Sequence, residues 1–182
     1  MKEILFDEIP SLDLADFTSG NPSKKAKFVQ KLGEAYNNIG FVAIKNHGLS
    51  QDLQDNLYAS IKRFFALPDE TKAKYERPGI GFQRGYTGKG KEHAKGRNTG
   101  DLKEFYHVGQ ELSNIPDHDP VRKEYPANVW PAEVPDFEEI ANEAYTTLEN
   151  AGRNMLKAIA LYLNLDEDYF EDKVAYGNSI LR

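Results

Sequence analysis

The sequence predicts an α+β fold in which helices and short strand-like runs follow one another along the chain. Three observations carry this: three apolar stripes at helical spacing, short runs rich in strand-forming residues, and glycine- or proline-rich connections between them. At 182 residues with 40% hydrophobic content, the chain can bury one substantial core. It reads as one domain, or as part of a larger one.

The first helix follows Asn21-Pro22-Ser23, where Asn or Ser can cap and Pro22 suits the first turn. Phe28, Val29, Leu32, Ala35, Tyr36 and Ile39 then share one face, and Gly40 ends it. Residues 41–44 (Phe-Val-Ala-Ile) form a short strand-like run, closed by the turn Asn46-His47-Gly48. Ser50 opens a second helix with Leu53, Leu57, Ile61, Phe64 and Phe65 on one side, which Leu67-Pro68-Asp69 interrupts. Residues 77–100 are so rich in glycine that a long exposed loop is expected there. Residues 101–110 are aromatic enough for a strand, and residues 113–135, with five prolines, predict irregular chain. Asp136 and Glu139 form an acidic capping box. Behind it Phe137, Ile140, Ala141, Ala144, Leu148, Ala151, Met155, Leu156, Ile159 and Leu163 keep register for a helix about 42 Å long at about 1.5 Å per residue. A helical turn over 166–170 and a strand starting within 178–182 complete the reading.

Composition excludes several classes of function. Against 29 acids the chain has 23 Lys and Arg, a formal charge of −6, so no global field favours nucleic acid or an anionic membrane. The expected partner is a small-molecule substrate or another protein. Cysteine is absent, which rules out disulfides, thiolate metal sites and a Cys nucleophile, and suits a cytoplasmic location. The first eight residues contain acids within their apolar stretch, unlike a signal peptide, and no run approaches the roughly 18 apolar residues of a membrane span.

Residues 85–91 fit the first seven positions of a phosphate-binding loop, but Glu92 stands where Ser or Thr should ligate magnesium. A flexible basic loop, with Arg84, Lys89, Lys91, Lys95 and Arg97, is the expectation instead. Arg84 and Tyr86 stand out within it, because a guanidinium offers a planar fork to a carboxylate and a phenol adds an oriented donor. A mononuclear iron oxygenase needs two imidazoles and a carboxylate on one face of the metal. None of His47, His93, His107 and His118 has an acid two residues on. His47 is expected to bond backbone in its turn, His107 to lie in a strand, and His93 and His118 to lie on the surface. No metal ligand and no catalytic residue is assigned.

The order of motifs nevertheless resembles one family. Residues 9–14 (Ile-Pro-Ser-Leu-Asp-Leu), 40–48 (Gly-Phe-Val-Ala-Ile-Lys-Asn-His-Gly), Phe64-Phe65-Ala66-Leu67-Pro68 with Lys72, and Gly85-Tyr86 are similar to the amino-terminal region of isopenicillin N synthase-like, 2-oxoglutarate-dependent dioxygenases. Residues 101–109, Asn128-Val129-Trp130-Pro131 and Pro135-Asp136-Phe137 continue the resemblance. It implies a double-stranded β-helix, or jelly roll, of which this chain carries the first strands and the helical region wrapped around it. Residues 41–44 would belong to a jelly-roll sheet, with the long helix packed across it. It implies ferrous iron and 2-oxoglutarate as cofactors of the full-length enzyme. The family's His-x-Asp and Arg-x-Ser do not occur here, so residues 1–182 are read as the N-terminal region, with the catalytic half expected after residue 182 and the isolated chain inactive. Arg84 and Tyr86 carry over as substrate-binding residues. The competing reading is a non-catalytic interaction module derived from the same family. Open strand edges at 41–44 and 180–181, and an uncovered helix face around Leu148, Met155, Ile159 and Leu163, predict self-association.

Overall fold

The computed structural model describes residues 9–93, 96, 99–113, 115, 119–120 and 125–182; His118, Lys95 and Arg97 lie outside them. The chain divides into two compact units, residues 1–49 with 147–175, and residues 50–146 with 176–182.

In the first unit β1 (Ser11–Asp13) runs parallel to β2 (Ala43–Lys45), pairing Leu12 with Ile44. The Asp13 carboxylate caps α1 (Leu14–Thr18) by accepting from the Ala15 amide at 2.9 Å, and its other oxygen takes Asn46 at 2.8 Å. Asn21 caps α2 (Pro22–Asn38) by accepting from the Ser23 and Lys24 amides, as its sequence predicts. Leu12, Leu14, Phe17, Phe28, Leu32 and Ala158 form the core, with Val29, Ile44, Met155 and Ile159 half-buried against it. Two expectations are corrected here. The strand lies at Ala43–Lys45 and leaves Phe41 67% exposed, its partner being β1, a segment too short to show a periodicity. Met155 and Ile159 are packed, so only Leu148 and Leu163 of the long helix's supposed bare face are exposed.

The second unit starts with α3 (Gln51–Phe65), whose N-cap Ser50 accepts from Leu53 at 3.1 Å. A short helix, α4 (Asp69–Lys72), follows. Three antiparallel strands come next, in the order β3 (Gly85–Thr87), β4 (Phe105–Gly109), β5 (Ile180–Leu181). The register sets Gly85 opposite His107, Tyr86 opposite Tyr106 and Gly109 opposite Ile180. Tyr86, Tyr106 and Val108 meet Phe64 of α3, together with Phe137 and Ala141 from the first half of α5 (Phe137–Tyr162). The first half of α5 therefore packs on these strands, whereas the resemblance implied packing across the sheet that holds residues 41–44.

The predicted exposed loop over 77–100 is corrected: residues 84–88 are buried and Gly85–Thr87 is a strand. A three-residue strand flanked by glycines leaves no alternation to read. Gly85 itself is forced, since its φ is +76° and a Cβ there would lie 2.3 Å from the Tyr75 carbonyl oxygen. The expected capping box differs too: Asp136 Oδ2 accepts from Arg63.

Candidate functional site

Two polar constellations meet on the three-stranded sheet, and each contains one of the residues singled out from sequence. The first surrounds Arg84, the residue that leads into β3. It is 1% exposed and is among the largest fully buried side chains of the described residues. Its Nη1 donates to the Gln83 carbonyl at 2.8 Å and its Nη2 to Asn178 Oδ1 at 3.0 Å, while Nε has no acceptor among the described residues. Burial pushes its pKa below the ordinary guanidinium value, and among the described residues no carboxylate bonds it. The guanidinium lies on the Gly109 backbone so closely that a Cβ at Gly109 would stand 2.0 Å from its central carbon. Gly109 is in turn held by Asn128, whose amide oxygen accepts from the Gly109 N–H at 2.8 Å and whose Nδ2 donates to the Gly109 carbonyl at 2.9 Å.

The second constellation surrounds Tyr86. Its hydroxyl donates to Glu104 Oε2 at 2.5 Å, and the same oxygen accepts from Lys72 Nζ at 2.8 Å. Lys72 is 4% exposed, also pairs with Asp69 at 3.0 Å, and stands 5.5 Å from the centre of the Tyr86 ring. Burial and the neighbouring Glu104 push the Tyr86 phenol up to about 12, so it remains a neutral donor. The structure thus brings Arg84 and Tyr86 together on one strand segment but gives them different neighbours. Lys72, Glu104, Asn128 and Asn178 were not singled out for such roles from sequence. The one available signal was that Lys72, Glu104 and Asn128 all fall within motif blocks.

His107 sits next to both, buried in β4. Its Nδ1 lies 2.8 Å from the Phe82 carbonyl oxygen and must donate to it, which leaves Nε2 to accept from Arg182 Nε at 2.7 Å. Burial holds its pKa below the usual imidazole value, against the opposing pull of the Phe82 carbonyl. His47 Nδ1 accepts from the Leu49 amide at 3.2 Å, the backbone bond expected of it, and His93 is exposed. Among the described residues no three His, Asp or Glu side chains gather where they could hold a metal ion. No described helix is long and apolar enough to cross a membrane.

Comparison with known proteins shows the family to which the chain belongs. Residues 9–133 match the family described as non-haem dioxygenase in morphine synthesis N-terminal. The 2-oxoglutarate-Fe(II) type oxidoreductase hxnY of Emericella nidulans is 31% identical over 177 residues, 95% of this chain and 51% of that protein. Proline hydroxylase buaE of Petromyces alliaceus is 32% identical over 182 residues, 96% of this chain and 54% of that protein. Among solved structures, a Caulobacter crescentus protein assigned to the 2OG-Fe(II) oxygenase family matches with a TM-score of 0.80 and 37% identity, over 94% of this chain and 54% of that one. A full-length Neurospora crassa protein, solved in complex with alpha-KG, matches with a TM-score of 0.76 at 25% identity, over 94% of this chain and 52% of that one. The chain spans about half the length of the relatives it matches. The motif order, the fold and these matches agree: the chain belongs to the amino-terminal region of the non-haem, 2-oxoglutarate-Fe(II) dioxygenase family.

Proposed function

We propose that the whole protein is a ferrous-iron, 2-oxoglutarate-dependent oxygenase that oxidises a small organic molecule in the cytoplasm, and that these residues form its amino-terminal, substrate-side part. The observation that carries this reading is the likeness, over 94% of the chain, to one part of a protein assigned to the 2OG-Fe(II) oxygenase family. The isopenicillin N synthase-like jelly roll belongs to the same reading. Iron needs two imidazoles and a carboxylate on one face, and the described residues offer no such set: His107 has both ring nitrogens bonded, and no acid joins a histidine pair. They do not fit the metal, so no chemical step is derived through it. In this reading the iron and 2-oxoglutarate ligands lie in the jelly-roll half after residue 182.

The same reading gives the sequence-predicted pair, Arg84 and Tyr86, to the substrate side, Arg84 as the group that meets it and Tyr86 as its support. For Arg84 the support is a guanidinium with no acidic partner and an Nε–H with no acceptor among the described residues, the state of a group awaiting an anion. Tyr86 spends its hydroxyl on Glu104, so its part is to fix the strand that carries Arg84. The test is turnover by the full-length, iron-loaded protein under air. Succinate release from 2-oxoglutarate is expected, and residues 1–182 alone should release none. Arg84→Ala should raise the KM of a carboxylate-bearing substrate by about 10- to 100-fold, or about 1.5 to 3 kcal/mol, and leave uncoupled 2-oxoglutarate decarboxylation unchanged. Unchanged KM would return Arg84 to a packing role, and succinate from the short chain would overturn the division of labour.

Self-association of residues 1–182 is proposed as well. Phe41 is 67% exposed and Leu102 89% exposed, and β2 pairs with β1 alone among the described strands. Light scattering across a concentration series should give a mass rising above 20.6 kDa. A constant monomer mass would refute it.

A further inference from the structure

The groups around Arg84 do more than bury it. A free arginine side chain rotates about several bonds, and a guanidinium that grips a ligand from one direction must first lose that freedom. Here it is lost from two sides. Below lies the Gly109 peptide, flat because the residue has no Cβ, and itself fixed by the two-point bond of Asn128. At the far end, Nη2 donates to Asn178, and the Asn178 amide nitrogen is tied to Gln83 Oε1 at 3.2 Å. Asn178 and Gln83 are exposed while Arg84 is 1% exposed, so this amide pair is the solvent-side end of the cage. What the cage leaves over is Nε–H, the buried donor with no acceptor among the described residues.

We propose that Asn178 is a positioning residue for Arg84: with the Asn128-locked Gly109 peptide it holds the guanidinium in one plane and reserves Nε–H for one oxygen of a ligand carboxylate. This rests on the reading of Arg84 as the substrate's anion partner. Asn178 supplies a neutral acceptor, which orients the guanidinium without cancelling its charge. An acid at that place would orient it equally well and fill the site with its own charge.

That difference supplies the test, made in the full-length protein labelled with ¹⁵N-arginine. The Arg84 Nε–H signal is identified by its loss in Arg84→Lys. Its exchange with water is then measured, followed by titration with acetate as the probe. In the unmodified protein slow exchange and a saturable shift of this signal are expected. Asn178→Ala should speed exchange and weaken the acetate response by about tenfold or more, the worth of a hydrogen bond to a charged group. Asn178→Asp should keep exchange slow but abolish the acetate response, a split that a purely structural asparagine would not produce. Exchange unchanged in Asn178→Ala overturns the positioning role, as does equal acetate binding by all three proteins. Faster exchange in Asn178→Ala with no acetate shift in the unmodified protein supports positioning and instead removes the carboxylate reading of Arg84. Asn178 is exposed and precedes a two-residue strand, so the substitutions leave the core intact.

Discussion

Phe64→Ala is expected to lower the unfolding free energy by about 3–5 kcal/mol, the range for truncating a buried aromatic ring. Phe64 is 0% exposed, and its ring centre lies 4.8 Å from that of Tyr106, 5.4 Å from Phe65, 5.7 Å from Tyr86, 5.9 Å from Tyr75 and 6.1 Å from Phe137. Four of those rings come from different elements, so the cavity cannot close by moving one side chain. Because a domain is stabilised by only about 5–15 kcal/mol, the loss is a large share of the whole. Urea unfolding should show a lower midpoint at unchanged slope, and Phe64→Leu should recover most of it. A loss below about 1 kcal/mol would mean that the ring cluster is not the core of this unit.

The second large effect is electrostatic. Lys72→Met should cost about 3 kcal/mol at neutral pH, the low end for breaking a buried ion pair by removing one partner. The low end applies because Glu104 keeps 19% exposure and a second, looser partner in Lys89 at 3.8 Å. Burial alone would raise the Glu104 pKa, but the hydrogen bonds from Lys72 and Tyr86 outweigh it and hold the carboxyl below its ordinary value. A depressed carboxyl contributes stability above its unfolded pKa and loses it as pH falls through the folded one. Lys72 is shifted the other way: burial opposes its charge, the bonds to Glu104 and Asp69 overcome that, and its pKa ends above the ordinary lysine value. Its contribution is complete below the unfolded value and fades only as pH rises through the folded one, so near pH 7 both partners contribute fully. In Lys72→Met, Glu104 is left with burial as the stronger influence and its pKa rises. The destabilisation should therefore shrink as pH is lowered into the acid range, and Glu104→Gln added to Lys72→Met should restore part of the loss. Equal losses at pH 7 and in acid would show that the pair contributes through packing of the lysine stem, not through charge.

Much of the scaffold was legible in the sequence because it is written locally. Caps at Asn21 and Ser50, the stop at Gly40 with its φ of +82°, and the 3.6-residue stripes of α2, α3 and α5 depend on residues within a few positions of each other. β4 falls inside the predicted 101–110, and β5 inside 178–182. What was not legible depends on register. Glu104 reaches Tyr86 because Tyr86 pairs with Tyr106, and it reaches Lys72 across 32 residues of sequence; neither follows from spacing. Asp136 has the right place for a capping box, yet its carboxylate binds Arg63, 73 residues away. Arg84 and Tyr86 were singled out by their chemistry and by motif order, but whether Arg84 lay on a solvated loop or inside a sheet turned on a strand of three residues.

The register has a last consequence at Gly109. Continuing the pairing of Gly85 with His107, the next residue of β3 to face Gly109 would be Gln83, but the positive φ of Gly85 turns the chain aside before it arrives. Asn128 takes the vacant rung: one side-chain amide offers the donor and the acceptor that a strand backbone would have offered. The sheet can thus be shortened without leaving a frayed edge, while the Arg84 guanidinium lies over the place where a Gly109 side chain would stand. A proline-rich stretch with no ladder of its own thereby acts as a splint, and rung and guanidinium stand or fall together.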